Sequence, residues 1–191
     1  MHVPPDGSLH AHSVAEAYLY VSLTYCPACM RRPVRVAADL TRAADGWVLP
    51  VNCAGCGRTS DLRFEMASPQ PGSNDINPSG EPSRLIDVAG WLALFRVIAD
   101  SANQQADKAE ARALALEAAQ CLDEALRFYG PDDLIAPPSA FFAENSRDRA
   151  RKHPEQFQRA RLLELRLKLP VATRDLPGWN QPRKKPWWKF W

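Results

Sequence analysis

Cys26-Pro27-Ala28-Cys29 and Cys53-Ala54-Gly55-Cys56 decide how this chain folds: they are two CxxC pairs with 23 residues between them. A two-residue gap lets both sulfurs of a pair point at one ion, so the two pairs supply four soft thiolates for a single tetrahedral metal. Four protein ligands close the coordination sphere. Such an ion braces the chain and leaves no position for substrate or water.

Working outward, residues 17–67 read as short strands around the two cysteine turns. Tyr18 to Thr24 are mostly β-formers leading into the first pair, and Val34, Val36, Ala38 and Leu40 alternate with Arg35, Ala37 and Asp39. Asp45-Gly46 predicts a tight turn. Trp47-Val48-Leu49 then leads into the second pair, and Leu62, Phe64 and Met66 share one face beyond it. Gly57, directly after Cys56, suits the positive φ that a cysteine turn needs. Met30 occupies the same place after Cys29 and is a poorer choice.

Other uses of the cysteines fit less well. A redox CxxC needs a helix after its first cysteine, and Pro33 with the alternating segment behind it opposes one. Disulfides need an oxidising compartment. Four thiolates also hold iron, against which the missing glycine after Cys29 counts. Residues 17–66 resemble the zinc-ribbon family, in which two cysteine turns on β-hairpins clamp one structural zinc. The resemblance implies one Zn2+ held by Cys26, Cys29, Cys53 and Cys56. It implies little about function, since ribbons bind nucleic acids, dock proteins or simply brace a fold.

The flanking segments are of other kinds. Residues 1–16 are expected to be a mobile N-terminus, whose His10 and His12 have a metal-like HxH spacing but stand apart from the ribbon. Residues 68–82 are a proline-rich linker. Residues 83–169 read as a helical hairpin or bundle of three to four helices, so the fold class is α+β with a flexible C-terminal tail. Ser83 is expected to cap a helix carrying Leu85, Val88, Leu92 and Phe95, and an alanine-rich helix follows over roughly 107–129, with Cys121 on its apolar face. Residues 101–105 are either a turn between these two or part of one long helix. Ser139 is expected to cap a helix to about Lys152. Pro154 suits the first turn of a last one, with Phe157, Ala160, Leu163 and Leu167 inward and Leu162, Leu165 and Leu169 broadening the stripe.

Residues 170–191 form a cationic aromatic tail in which Trp179, Trp187, Trp188, Phe190 and Trp191 are interleaved with Lys184, Lys185 and Lys189. Large aromatic anchors on a mobile segment favour docking into another protein. Indoles with lysines also suit an anionic membrane surface, and rings with cations suit unpaired bases. Self-association, or docking of the tail on its own chain, hides the same rings.

Net charge is only +2, but its distribution is uneven. Residues 68–139 carry 5 basic and 11 acidic side chains, whereas residues 140–191 carry 13 and 5. The acidic middle and the basic end therefore either attract one another, or the basic end faces an anionic partner. Arg31, Arg32, Arg35 and Arg58 beside the cysteines, with the arginines of 147–166, form the candidate nucleic-acid surface.

No GxSxG, phosphate-binding loop, dinucleotide fingerprint or HExxH occurs, and the acidic pairs occupy helix surfaces and ends. A non-catalytic scaffold or adaptor is expected, with a nucleic-acid-associated regulator and a peripheral membrane protein as alternatives. The N-terminus lacks the charged and apolar regions of a signal peptide, so the expected compartment is the cytoplasm.

Overall fold

The computed structural model of the chain describes residues 9–31, 33–66 and 75–170. These divide into two units: one holds the described residues up to Ser79, the other those from Gly80 onward. The first is a mixed five-stranded sheet with one helix. The second is built from four α-helices. The α+β class read from the sequence is the class observed.

The first unit starts earlier than expected. Leu9–His10 (β1) pairs in parallel with Thr59–Glu65 (β5), and Ala11 and Glu16 are buried. Residues 9–16 thus belong to the folded module. Val14–Leu23 (α1) replaces the strand expected from Tyr18 to Thr24. Ser13 caps it by accepting from the amide of Glu16 (3.0 Å), and Glu16 reaches back to the amide of His12. This Ser-x-x-Glu pattern is a helix-start signal that the β-formers behind it mask. Ala17 to Val21 are all buried, and a continuous apolar run does not distinguish a strand from a helix packed on several sides.

The sheet order is β1, β5, β4, β2, where β4 is Gly46–Cys53 and β2 is Val34–Val36. Thr41–Ala43 (β3) pairs with the opening of β4, next to the turn expected at Asp45-Gly46. A Cβ on Gly46 would lie 2.7 Å from the carbonyl oxygen of Phe64, so the close approach of β4 to β5 needs glycine there. The strand expected over 33–40 stops at Val36. Leu49, Val51 and Phe64 point inward, and Tyr20 of α1 packs edge-on against Phe64 at 6.3 Å. Ile76, read as linker, is buried, and its carbonyl accepts from the Ser13 hydroxyl.

In the second unit Val88–Gln104 (α2) and Lys108–Leu126 (α3) are separate helices joined by three residues. Residues 101–104 complete α2, and Asp107 caps α3. Asp87, not Ser83, caps α2: its Oδ1 accepts from Gly90 N at 2.8 Å and its Oδ2 from Phe142 N at 3.0 Å. Ser83 instead closes the turn before it by accepting from Leu85 and Ile86. α2 packs against α3, and Trp91, Leu92 and Ile98 are buried on the first helix as Ala118, Cys121, Leu122 and Ala125 are on the second, whose alanines allow a close approach of backbones.

Ser139 lies in a single 3-10 turn, and Glu144–Lys152 (α4) begins four residues beyond it. Pro154–Phe157 is likewise one 3-10 turn, after which Arg159–Leu167 (α5) starts afresh. That restart rotates the last helix. Leu162 is buried, whereas Leu163 and Leu167 are 43% and 85% exposed and Ala160 is exposed too. The inward face is therefore the one read as broadening the stripe. Arg166 on that side pairs with Asp123 of α3 at 2.7 Å.

Leu162→Ala should cost about 2–5 kcal/mol of unfolding free energy in denaturant titrations. Leu163→Ala should change it by no more than about 0.5 kcal/mol. The reverse order would restore the face expected from the sequence.

Candidate metal centre

The centre is built where two hairpins end side by side. The first CxxC follows α1: the amide of Val34 donates to the carbonyl of Thr24 (2.9 Å), and Tyr25 pairs with Pro33. The second joins β4 to β5, with Cys53 N donating to Arg58 O (2.9 Å). Antiparallel β2 and β4 place Val34 opposite Cys53, which sets the two turns next to each other.

The turns share one local geometry. Met30 N donates to Cys26 O and Gly57 N donates to Cys53 O, each at 2.8 Å. Met30 has φ 52° and Gly57 has φ 71°, so both occupy the left-handed region. Glycine holds that conformation freely, whereas methionine is strained there. Gly55 N also donates to Cys53 Sγ at 3.3 Å, as expected of an amide facing a ligating sulfur.

The four sulfurs come together. Cys26 Sγ is 3.7 Å from Cys56 Sγ, Cys29 Sγ is 3.6 Å from Cys53 Sγ, and all four lie within 4.8 Å of one another. A disulfide would bring two sulfurs to about 2.0 Å. Tetrahedral thiolates about 2.3 Å from one zinc-sized ion stand about 3.8 Å apart, so the residues present fit a four-thiolate metal. Among the described residues no other such group of potential ligands occurs.

Burial within the set is unequal. Cys26 and Cys53, first in each pair, are 2% exposed, while Cys29 is half-buried and Cys56 exposed. The backbone amide of Cys29, helped by that of Ala28 and by neighbouring thiols, lowers the Cys26 pKa to about 7. At Cys56 the amide of Arg58 pulls the other way, but the Cys26 thiol, burial and the remaining thiols push the pKa up to about 11. Cys26 thus loses its proton near neutrality, whereas Cys56 resists losing its own.

The other expected residues lie apart from this centre. His10 Nδ1 faces Glu65 at 3.1 Å and His12 Nδ1 faces Glu16 at 3.2 Å. Cys121 is fully buried in the helical unit, where burial and nearby carboxylates raise its pKa well above the usual thiol range. Arg31, Arg35 and Arg58 are exposed and make no ion pair with a described carboxylate. Arg32 and the tail residues Trp179, Lys184, Lys185, Trp187, Trp188, Lys189, Phe190 and Trp191 lie outside the described residues. No helix among the described residues is long and apolar enough to cross a membrane. Met30 adopts the positive φ at the place where the repeated CxxC-x pattern aligns it with Gly57 and makes it the poorer choice.

No protein-family model, curated protein or solved structure matches this chain significantly.

Gly57→Ala has open space around its new Cβ and is penalised by φ alone, so it should weaken metal retention by about 1 kcal/mol. Met30→Gly should act in the opposite direction and by less, because the glycine loses more backbone entropy on folding. Competition with a chelator measures both.

A second outcome follows from the thiol pKa values. Metal displaces protons from the cluster, so uptake should release protons, and apparent affinity should fall as pH drops from about 11, more steeply once Cys26 also protonates below about 7. Pairs of chelator titrations on either side of neutrality test the sign.

Proposed function

We propose that this protein is a non-catalytic, zinc-binding scaffold or adaptor that holds one structural Zn2+ on Cys26, Cys29, Cys53 and Cys56. It binds other proteins through its ribbon, its helical region and its Trp/Lys-rich tail. One observation carries the reading: the chain itself supplies four sulfurs at separations suited to a single tetrahedral ion. Such a site has no open position for a reacting molecule. Zinc is preferred over iron on ligand type and spacing. The absence of glycine after Cys29 no longer weighs against iron, since Met30 takes the backbone conformation that glycine would. Thiols kept free for metal suit a reducing compartment, so the cytoplasm is its proposed location.

Partner binding then belongs to surfaces outside the metal. Aromatic and cationic side chains dominate residues 179–191, and Trp and Arg are the usual anchors of protein interfaces. Arg31, Arg35 and Arg58 favour a second reading, a nucleic-acid-associated regulator, because they are exposed near the cysteine turns without carboxylate partners.

Elemental analysis of purified protein should find one zinc per chain, lost in Cys53→Ser. Iron, or no metal, would refute the assignment. Affinity purification of the full chain against a version truncated after Leu169 should lose co-purifying protein on truncation. Unchanged partners would remove the tail from the proposal. Nucleic-acid affinity that falls steeply with salt and depends on Arg31, Arg35 and Arg58 would favour the second reading.

A further inference from the structure

The helical unit holds a pair of like charges without local compensation. Arg96 of α2 and Arg149 of α4 both donate to one neutral acceptor, Oε1 of Gln156, at 3.0 and 3.1 Å. Neither guanidinium has a described carboxylate within ion-pairing distance. The acidic side chains nearby in sequence are engaged elsewhere or stand off: Asp148 takes Arg151, Glu155 faces His153 at 3.5 Å, and Asp100 makes no ion pair with Arg96. Burial, together with the field of Arg96, holds the Arg149 pKa below the ordinary arginine value.

Each guanidinium has five N–H donors, and each gives a single one to the protein. Sharing an acceptor keeps the two donor nitrogens within about 6 Å of each other, a span that one tetrahedral oxyanion bridges. Gln156 contributes no charge. It orders two planar forks while leaving their positive charge for a ligand. Lys152, three residues beyond Arg149 and exposed, adds a third cation on the same side of α4.

We propose that Arg96 and Arg149, aligned by Gln156, form a binding site for a small phosphomonoester. A doubly charged phosphate offsets both guanidiniums and offers each its own oxygen, which a singly charged carboxylate does not. A polyanion fits less well. The neighbouring arginines are already engaged, Arg147 on the carbonyl of Phe142 and Arg151 on Asp148, and residues 80–170 carry 13 basic against 14 acidic side chains. That balance leaves no extended positive track.

The test uses the full chain titrated with inorganic phosphate and with glycerol phosphate at constant ionic strength, followed by NMR of the arginine side-chain N–H signals. Saturable binding with a dissociation constant on the order of millimolar is expected, with acetate roughly tenfold weaker. Arg96→Gln, at an exposed position, should weaken phosphate binding about tenfold or more. Arg149→Lys should weaken it while keeping the charge, and Arg161→Gln on α5 should leave it unchanged. Circular dichroism melting confirms that each variant is folded, and retained metal shows that the cysteine centre is not involved. No saturation, or equal affinity in Arg96→Gln and Arg161→Gln, would overturn the proposal. Tighter binding of a short oligonucleotide, lost in the same variants, would overturn it too and assign the pair to nucleic acid.

Discussion

The pairing of Val34 with Cys53 is the contact on which the metal centre depends. β2 begins just after the first cysteine turn and β4 ends in the second, so this register brings four sulfurs from two hairpins to one point. Side chains alternate along β4. A slip by one residue would turn Cys53 outward and Asn52 inward, dismantling the site and the core together. The strand that sets the register is only three residues long and cannot hold its place alone. α1 packs against it, and metal bridging both turns would pin the same ladder from its open end.

The two turns are alike in backbone and unlike in cost. Both close with an amide donated to the carbonyl of their first cysteine, and both continue through a left-handed residue. Glycine fills that position once. Methionine fills it the other time, at a backbone penalty of roughly 1–2 kcal/mol. The first turn is instead stiffened by Pro27 and held by the Thr24–Val34 hydrogen bond at the end of α1. A helix end therefore does at one turn what residue choice does at the other. The unequal exposure of the sulfurs follows the same order. In each pair the first cysteine is the more buried one, and the second faces outward, Cys56 most of all.

What could be read in advance follows from how local each determinant is. The cysteine spacing, the Asp45-Gly46 turn, the Leu62–Phe64 alternation and the alanine-rich α3 all lie in short windows, and each has its counterpart in the structure. α1 escapes a local reading because five successive buried residues carry no periodicity, although Ser13 and Glu16 mark the helix start. The face of α5 is hidden from sequence because the 3-10 turn at Pro154 interrupts helical phase, so counting from the proline places Leu163 where Leu162 belongs. Ser83 and Asp87 both have side chains that can cap a helix. Which of the two caps α2 is decided partly by Phe142, 55 residues away, whose amide takes the second oxygen of Asp87.

The arginine pair shows the limit of local reading most plainly, because Arg96 meets Gln156 across 60 residues and no window contains both. It also separates two kinds of polar design within one chain. The cysteine centre gathers groups that become anionic and that a single cation would satisfy, so its own ligands would complete its chemistry. The arginine pair gathers groups that are always cationic and gives them a neutral amide, which orders the forks without cancelling their charge. A protein that needed only stability would place a carboxylate where Gln156 stands, because an ion pair would relieve the repulsion that the amide leaves in place. Keeping an amide there keeps the charge available. In a chain whose four cysteines would close the coordination sphere of any one metal, that is where an anionic ligand has reason to bind.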